Sequence, residues 1–231
     1  MTALSIIIPT LNEEAGIASA LDALAALRVA GCEVIVADGG SGDRTAAVAY
    51  PRCDRVVAAP RGRGAQMNAG AAVARGDVLL FLHADTRLPD GADRLILREL
   101  ARSKRAWGRF DVRIAGRHPL LGIVACLMNW RSRRTGIATG DQAMFVERRA
   151  FAAAGRFPDI ALMEDIALSA RLRQVTPPVC LAARVTTSGR RWDDHGFMRT
   201  VVLMWRLRAA FFRGTDPGIL ARAYGYVPRE P

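Results

Sequence analysis

Two kinds of segment alternate through the first hundred or so residues, and that alternation restricts the fold more than any other feature of the chain. Residues 4–8 (LSIII), 33–37 (EVIVA), 55–58 and 77–82 (DVLLFL) are short runs rich in branched apolar side chains. Longer alanine-rich stretches separate them. In residues 13–28, Ile17, Leu21, Leu24 and Leu27 recur at helical spacing, and 45–50 and 65–74 also read as helices. Unbroken apolar runs predict strands buried on both faces, and helices between them predict a mostly parallel sheet covered on both sides. Pro9 is expected to end the first strand.

The second half is less regular. The pattern predicts strands over 107–114, 143–147 (AMFVE) and 179–186, and helices over 120–133, 165–173 and 197–212. No repeat, low-complexity tract or Gly/Pro/Ser-rich linker divides the chain, so one α/β domain over 1–231 is expected.

Composition fits that class: 51% hydrophobic and 24% charged residues in a chain of 231 exclude disorder and collagen-like structure. The longest apolar candidate, residues 119–130, falls short of the roughly 18 residues a spanning helix needs. The start lacks a basic leader and runs at once into Pro9, Glu13 and Glu14, so no signal peptide is read there. Four cysteines (Cys32, Cys53, Cys126, Cys180) without a Cys-x-x-Cys pair, and only three histidines, point to reduced thiols in a cytoplasmic protein and to no structural zinc. Lys+Arg outnumber Asp+Glu by 33 to 22, a formal charge of +11. That excess suits a nucleotide diphosphate, a phospholipid surface or nucleic acid, although near-exclusive arginine, with Lys104 the one lysine, also fits a genome-composition bias.

Ligands of open parallel sheets bind beyond the carboxyl ends of the strands. Three polar clusters fall there: Thr10, Asn12 and Glu13 after the first strand, Asp38 to Asp43 (DGGSGD) after the second, and His83 to Thr86 (HADT) after the fourth. Each alone is also what a turn or helix cap requires; three at successive strand ends point to a site. No P-loop is present, and Gly39, Gly40 and Gly42 do not match the dinucleotide-binding spacing. Arg61-Gly62-Arg63-Gly64 is a basic loop able to approach a diphosphate.

These residues carry a resemblance. SIIIPTLNE, EVIVADGGSGDRT and GRGAQMNAGAAVARGDVLLFLHADT resemble the nucleotide-sugar-binding half of family 2 glycosyltransferases with the GT-A fold, and GDQAMFV, MEDIALSARLR and TSGRRW continue the match in the family's order. The wording LHADT, GDQ and SGRRW looks most like small bacterial members associated with radical-SAM proteins and arsenosugar-type pathways. The resemblance implies a single-domain, Rossmann-like sheet flanked by helices, with donor binding in 1–115 and acceptor binding in 116–231. It implies an inverting transfer from a nucleotide diphosphate sugar to an acceptor hydroxyl, with Mg2+ or Mn2+. Thr10, Glu13, Asp38, Arg63, His83 and Arg191 would bind the donor, Asp85 the metal, Trp192 and Asp141 the acceptor, and Asp165 with Glu164 would supply the base.

The departures from the family pattern fall on donor binding. Asp38-Gly39 stands where relatives often have two aspartates, His83 replaces the first aspartate of Asp-x-Asp, and Ser188 stands in place of the glutamine of Gln-x-x-Arg-Trp. Mg2+ prefers oxygen ligands, so Asp85 is expected to carry the metal and His83 to touch the nucleotide or a ligated water.

The residues also bear on other functional classes. A sugar nucleotidyltransferase needs a basic glycine-rich loop after the first strand, where this chain has Pro9 to Glu13. A nucleic-acid-binding module would rest on the charge, but only 6% of residues are aromatic and no binding motif is present. In 197–212, Arg199 and Arg206, with Arg213 just beyond, recur every seven residues, and Val202, Met204, Trp205, Leu207, Phe211 and Phe212 cover much of the rest. That pattern fits a core helix with an arginine edge, or an interfacial helix on the anionic inner face of a membrane.

Overall fold

A computed structural model describes residues 3–226; the ends of the expected 1–231 domain, residues 1–2 and 227–231, lie outside them. The strands are β1 (Leu4–Thr10), β2 (Glu33–Asp38), β3 (Arg55–Ala58), β4 (Val78–Phe81), β5 (Thr86–Arg87), β6 (Trp107–Ala115), β7 (Phe145–Glu147) and β8 (Val179–Ser188). The helices are α1 (Glu14–Asp22), α2 (Ala25–Val29), α3 (Thr45–Ala49), α4 (Arg63–Val73), α5 (Ala92–Ser103), α6 (Leu121–Thr135), α7 (Arg148–Ala153), α8 (Glu164–Val175), α9 (Arg190–His195), α10 (Phe197–Phe212) and α11 (Pro217–Tyr224).

All eight strands form one sheet in the order β3-β2-β1-β4-β7-β6-β8-β5. Strands β3, β2, β1 and β4 run parallel, joined by helical crossovers. The sheet is nevertheless mixed, not wholly parallel: β7 lies antiparallel to both β4 and β6, and β5 antiparallel to β8. Side chains alternate across it. Ile6, Ile8, Val34, Val36 and Leu80 share one apolar cluster with α1, α5 and α6, while Ile7, Ile35, Leu79 and Phe81 share another with α4, α7 and α8. Packing is close at Gly70, where a Cβ would come within 2.4 Å of the Ile7 side chain.

Pro9 does not end β1, which continues to Thr10 in register with Asp38. Ile7 O accepts from Leu82 on the β4 side and Thr10 O from Gly39 on the β2 side. Alternation therefore aims the Pro9 nitrogen toward β4, whose pairing with β1 stops at Phe81, so no ladder bond is lost. The helix expected over 13–28 is two helices, broken between Asp22 and Ala25. Helix α5 fills a stretch the periodicity reading leaves without an element.

Candidate active site

Strand order reverses at β1, whose successor β2 lies on one side and whose other neighbour is β4. The crevice at such a switch point is where open α/β sheets bind ligands. The loop after β1 and the loop after β4 flank it. Because β7 enters antiparallel to β4, the turn Gly140–Gln142 that precedes it arrives at the same edge, and so does the start of α8. Residues more than a hundred positions apart meet there for that topological reason.

On the β1–β2 side, Asp38 is buried, and its carboxylate accepts the Gly40 and Ser41 N–H groups and the Ser41 hydroxyl. Thr10 lies beside it at 3.4 Å. Gln66 of α4, buried, donates through Nε2 to the carbonyls of Thr10 (2.7 Å) and Ala37 (3.0 Å), which locks the two strand ends together. The two loops are laced by Asn12, Ser41, Asp43 and Thr45. Asp43 takes the Thr45 N–H at the head of α3, one residue earlier than an ordinary cap.

Near the switch point the charges of Arg190, Asp85 and Arg63 act on Glu13. Burial raises the Glu13 pKa, helped by the Asp85 charge and opposed by Arg190 and Arg63. Asp85 is exposed, and its carbonyl holds the Ser188 N–H just ahead of α9. His83 is paired with Asp141. Its Nδ1 lies 3.5 Å from Asp141 Oδ1, and a Cβ on Gly140 would collide with its ring at 2.4 Å. Burial disfavours the imidazolium, but the Asp141 hydrogen bond and the charges of Asp141 and Asp85 outweigh it and raise the His83 pKa.

Glu164 and Asp165 open α8 and, with Met67, Phe81, His83, Gly140, Met144 and Phe157, line one small cavity. Their burial outweighs the favourable helix dipole expected at an N-terminus. Burial and the neighbouring Asp165 charge push Glu164 up to about 7, and burial also raises Asp165, although the Gly140 and Ile166 N–H groups bonded to it pull the other way. Arg63 is held charged against burial by Glu164, Tyr224, Asp141 and Asp165.

The site contains residues the sequence reading passes over. Tyr224 of α11 lies under the Arg191 guanidinium, 3.7 Å from its ring centroid, and its carbonyl accepts from Arg191 at 3.2 Å. Arg190 and Gln66 are the others. A glutamine set among small residues in an alanine-rich helix is the one signal in the sequence; Tyr224 has none, because only the tertiary path of α11 brings it there. Trp192 is half-buried and packs against Phe197, with ring centroids 5.8 Å apart.

Asp85 fits the cation the resemblance implies as a single exposed carboxylate, the arrangement in which phosphate oxygens complete the shell. Among the described residues, no cluster of three or more His, Cys, Asp or Glu forms a cage by itself.

Comparison with solved structures gives the fold. Staphylococcus aureus TarS 1–349 matches with a TM-score of 0.66 at 17% identity, over 81% of this chain and 60% of that one, so the chain spans about three-fifths of TarS 1–349. A mannosyltransferase of Pyrobaculum calidifontis, solved with GDP-Man and Mn2+, matches with a TM-score of 0.63 at 20% identity, over 96% of this chain and 69% of that one. Glucosyl-3-phosphoglycerate synthase of Mycobacterium tuberculosis, solved with Mn2+, UDP and phosphoglyceric acid, matches with a TM-score of 0.56 at 19% identity, over 80% and 69%. These likenesses agree with a GT-A arrangement of the mixed sheet. No curated protein is similar enough to count as a match. The profile described as glycosyl transferase family 2 covers residues 5–152, well over half the chain, and the protein therefore belongs to that family.

Proposed function

We propose that the protein transfers a sugar, with inversion, from a nucleotide diphosphate sugar to an acceptor hydroxyl. The observation that carries this reading is the sorting of charge at the switch point. Asp38, Glu13, Asp85 and Arg190 lie on the donor side and Glu164 and Asp165 at the head of α8 beside Gly140 and Asp141, with the charge of Arg63 acting on both groups. Solved neighbours holding UDP-GlcNAc, or GDP-Man with Mn2+, support it. The wording LHADT, GDQ and SGRRW supports the finer placement among small bacterial members tied to radical-SAM and arsenosugar-type pathways.

In this reading Thr10, Glu13 and Asp38 hold the nucleoside, and Arg63, Arg191 and His83 face the diphosphate. Residues 1–115 supply most of the donor side and 116–231 the acceptor side, with Asp141 and Trp192 beside the acceptor. The acceptor oxygen attacks the anomeric carbon, the bond from that carbon to the diphosphate oxygen breaks with its electron pair, and the hydroxyl proton passes to Asp165. A divalent cation, Mg2+ or Mn2+, held by Asp85 would offset the negative charge that grows on the leaving diphosphate.

The two adjacent carboxylates divide the work. Asp165 accepts two backbone N–H bonds that favour its ionised form, whereas burial and the Asp165 charge raise Glu164 to about 7, so below neutral pH Glu164 is the one that holds a proton. That leaves one ionised base and avoids two like charges side by side.

The test is incubation with UDP- and GDP-sugars, with and without Mn2+, following release of the nucleoside diphosphate and the anomeric configuration of any product by NMR. Cation-dependent release with inverted configuration is the expected result. Retention of configuration would remove the single-displacement mechanism, and failure to bind any nucleotide sugar would remove the function.

A further inference from the structure

Helices α6 and α10 meet on the outside of the molecule. At their starts, His118, just ahead of α6, stacks on Phe197, the first residue of α10, with ring centroids 4.1 Å apart and planes within 6°. At their far ends, Ile137, just past α6, and Leu207 of α10 are buried in one apolar cluster.

Each helix turns an apolar stripe outward. On α6 it is Ile123, Leu127 and Trp130; on α10 it is Met198, Val202 and Trp205. Both series follow the same i, i+4, i+7 spacing, which keeps each on one helical face. Trp130 is 62% exposed and Trp205 71%, among the largest apolar exposures of the described residues.

The charge on these helices is of one sign. Neither contains an Asp or Glu, and the exposed arginines are Arg134 and the Asp111-paired Arg133 on α6, and Arg199 and Arg206 on α10. Tryptophans on an apolar stripe with arginines alongside are what a membrane interface selects. A second copy pressed on the same face would set these arginines against their equivalents, so the charge argues for an anionic partner. Among the described residues no helix is long and apolar enough to cross a membrane.

We propose that α6 and α10 together form a docking surface for an anionic phospholipid bilayer, lying in its headgroup layer with Trp130 and Trp205 inserted. The proposal involves two helices rather than the carboxyl-terminal one alone, and it stands whether or not the sugar-transfer reading holds. Because α9, which carries Arg191, leads directly into α10, the bilayer would lie beside the candidate site.

Cys126 supplies a probe in a Cys180→Ser background, being exposed on α6 next to the stripe while Cys180 is half-buried and Cys32 and Cys53 are buried. The protein labelled there with an environment-sensitive fluorophore is mixed with vesicles containing phosphatidylglycerol, or with pure phosphatidylcholine vesicles. We expect sedimentation and a blue-shifted, brighter label with the anionic vesicles at low salt, and at least about tenfold weaker binding at high salt or without phosphatidylglycerol. W130E/W205E should lose both signals, and R199E/R206E should lose binding to the anionic vesicles, with unchanged thermal unfolding in each case. The proposal is overturned if the protein stays in the supernatant with anionic vesicles at low salt, or if W130E/W205E binds as the parent does. It is also overturned if the label is already shielded without vesicles because a second copy covers the face. Calorimetric titration of UDP and GDP into the same samples reports the donor site separately, so failure of one reading is distinguishable from failure of the other.

Discussion

The Gly140 N–H donates to Asp165 Oδ2 at 2.7 Å, so the head of α8 and the turn carrying Asp141 are tied through the carboxylate assigned as the base. Its other oxygen takes the Ile166 N–H at 2.7 Å. Asp165→Asn keeps one acceptor oxygen and the size of the side chain but cannot take the acceptor proton. Turnover is expected to fall about a hundredfold or more, with donor affinity changed by less than about threefold. Single-turnover kinetics beside calorimetric donor binding checks this. Near-normal turnover would make Asp165 a tether only, and Glu164 or Asp141 the next base to test.

Glu164 links the site to folding stability. Its pKa is raised from 4.5 to about 7, by burial first and the Asp165 charge second, so the folded chain binds this proton more tightly than the unfolded chain. The resulting stabilisation is complete below about pH 4.5, shrinks as pH rises, and is gone above about pH 7. Glu164→Gln, always neutral, should flatten that slope and be the more stable protein at about pH 8, by on the order of 2 kcal/mol. Urea unfolding at several pH values measures it; parallel curves for parent and variant would show that Glu164 titrates as an exposed carboxylate does.

Local chemistry made the parallel half of the sheet readable, because Ile6 to Ile8, Val34 to Val36 and Leu79 to Leu82 are apolar on both faces and only a covered sheet tolerates that. The clusters at Thr10, Asp38 and Asp85 were readable for the same reason, since polar residues directly after such runs fall at the carboxyl edge. Sheet order was not. Nothing local to Phe145–Glu147 says that it runs antiparallel between β4 and β6, yet that placement is what brings Asp141 to His83. Pro9 misled because its missing N–H matters only if a neighbour faces it. Tyr224 is not legible because its role depends on where α11 lands, whereas Ile96 and Leu100 of α5 carry a four-residue spacing that marks a helix.

Asp111 carries more stability than its place outside the site suggests. Arg109 is fully buried, with its guanidinium paired to Asp111, and Arg133 reaches the second Asp111 oxygen at 2.7 Å. Asp111→Ala would leave the Arg109 charge buried without its partner, costing about 3–5 kcal/mol. Arg133→Ala removes the half-exposed partner and should cost about 1 kcal/mol or less. Denaturant unfolding of both variants tests the contrast; equal losses would mean that Arg109 finds another partner.

The metal assignment separates His83 from Asp85, although two residues on an extended segment could share one face. His83 is engaged with Asp141 and packed against Gly140, whereas Asp85 is exposed beside Glu13 and Arg190. An imidazole is a poor ligand for Mg2+, which favours oxygen. Asp85→Ala is therefore expected to remove Mn2+-dependent donor binding, measured by calorimetry with and without the cation, and turnover with it. His83→Ala should loosen the Gly140–Gln142 turn and lower turnover, roughly tenfold if it acts only through that turn, while the cation requirement persists. The reverse pattern, with Mn2+ binding lost in His83→Ala and kept in Asp85→Ala, would exchange the two roles and make the His83–Asp141 pair part of the metal site.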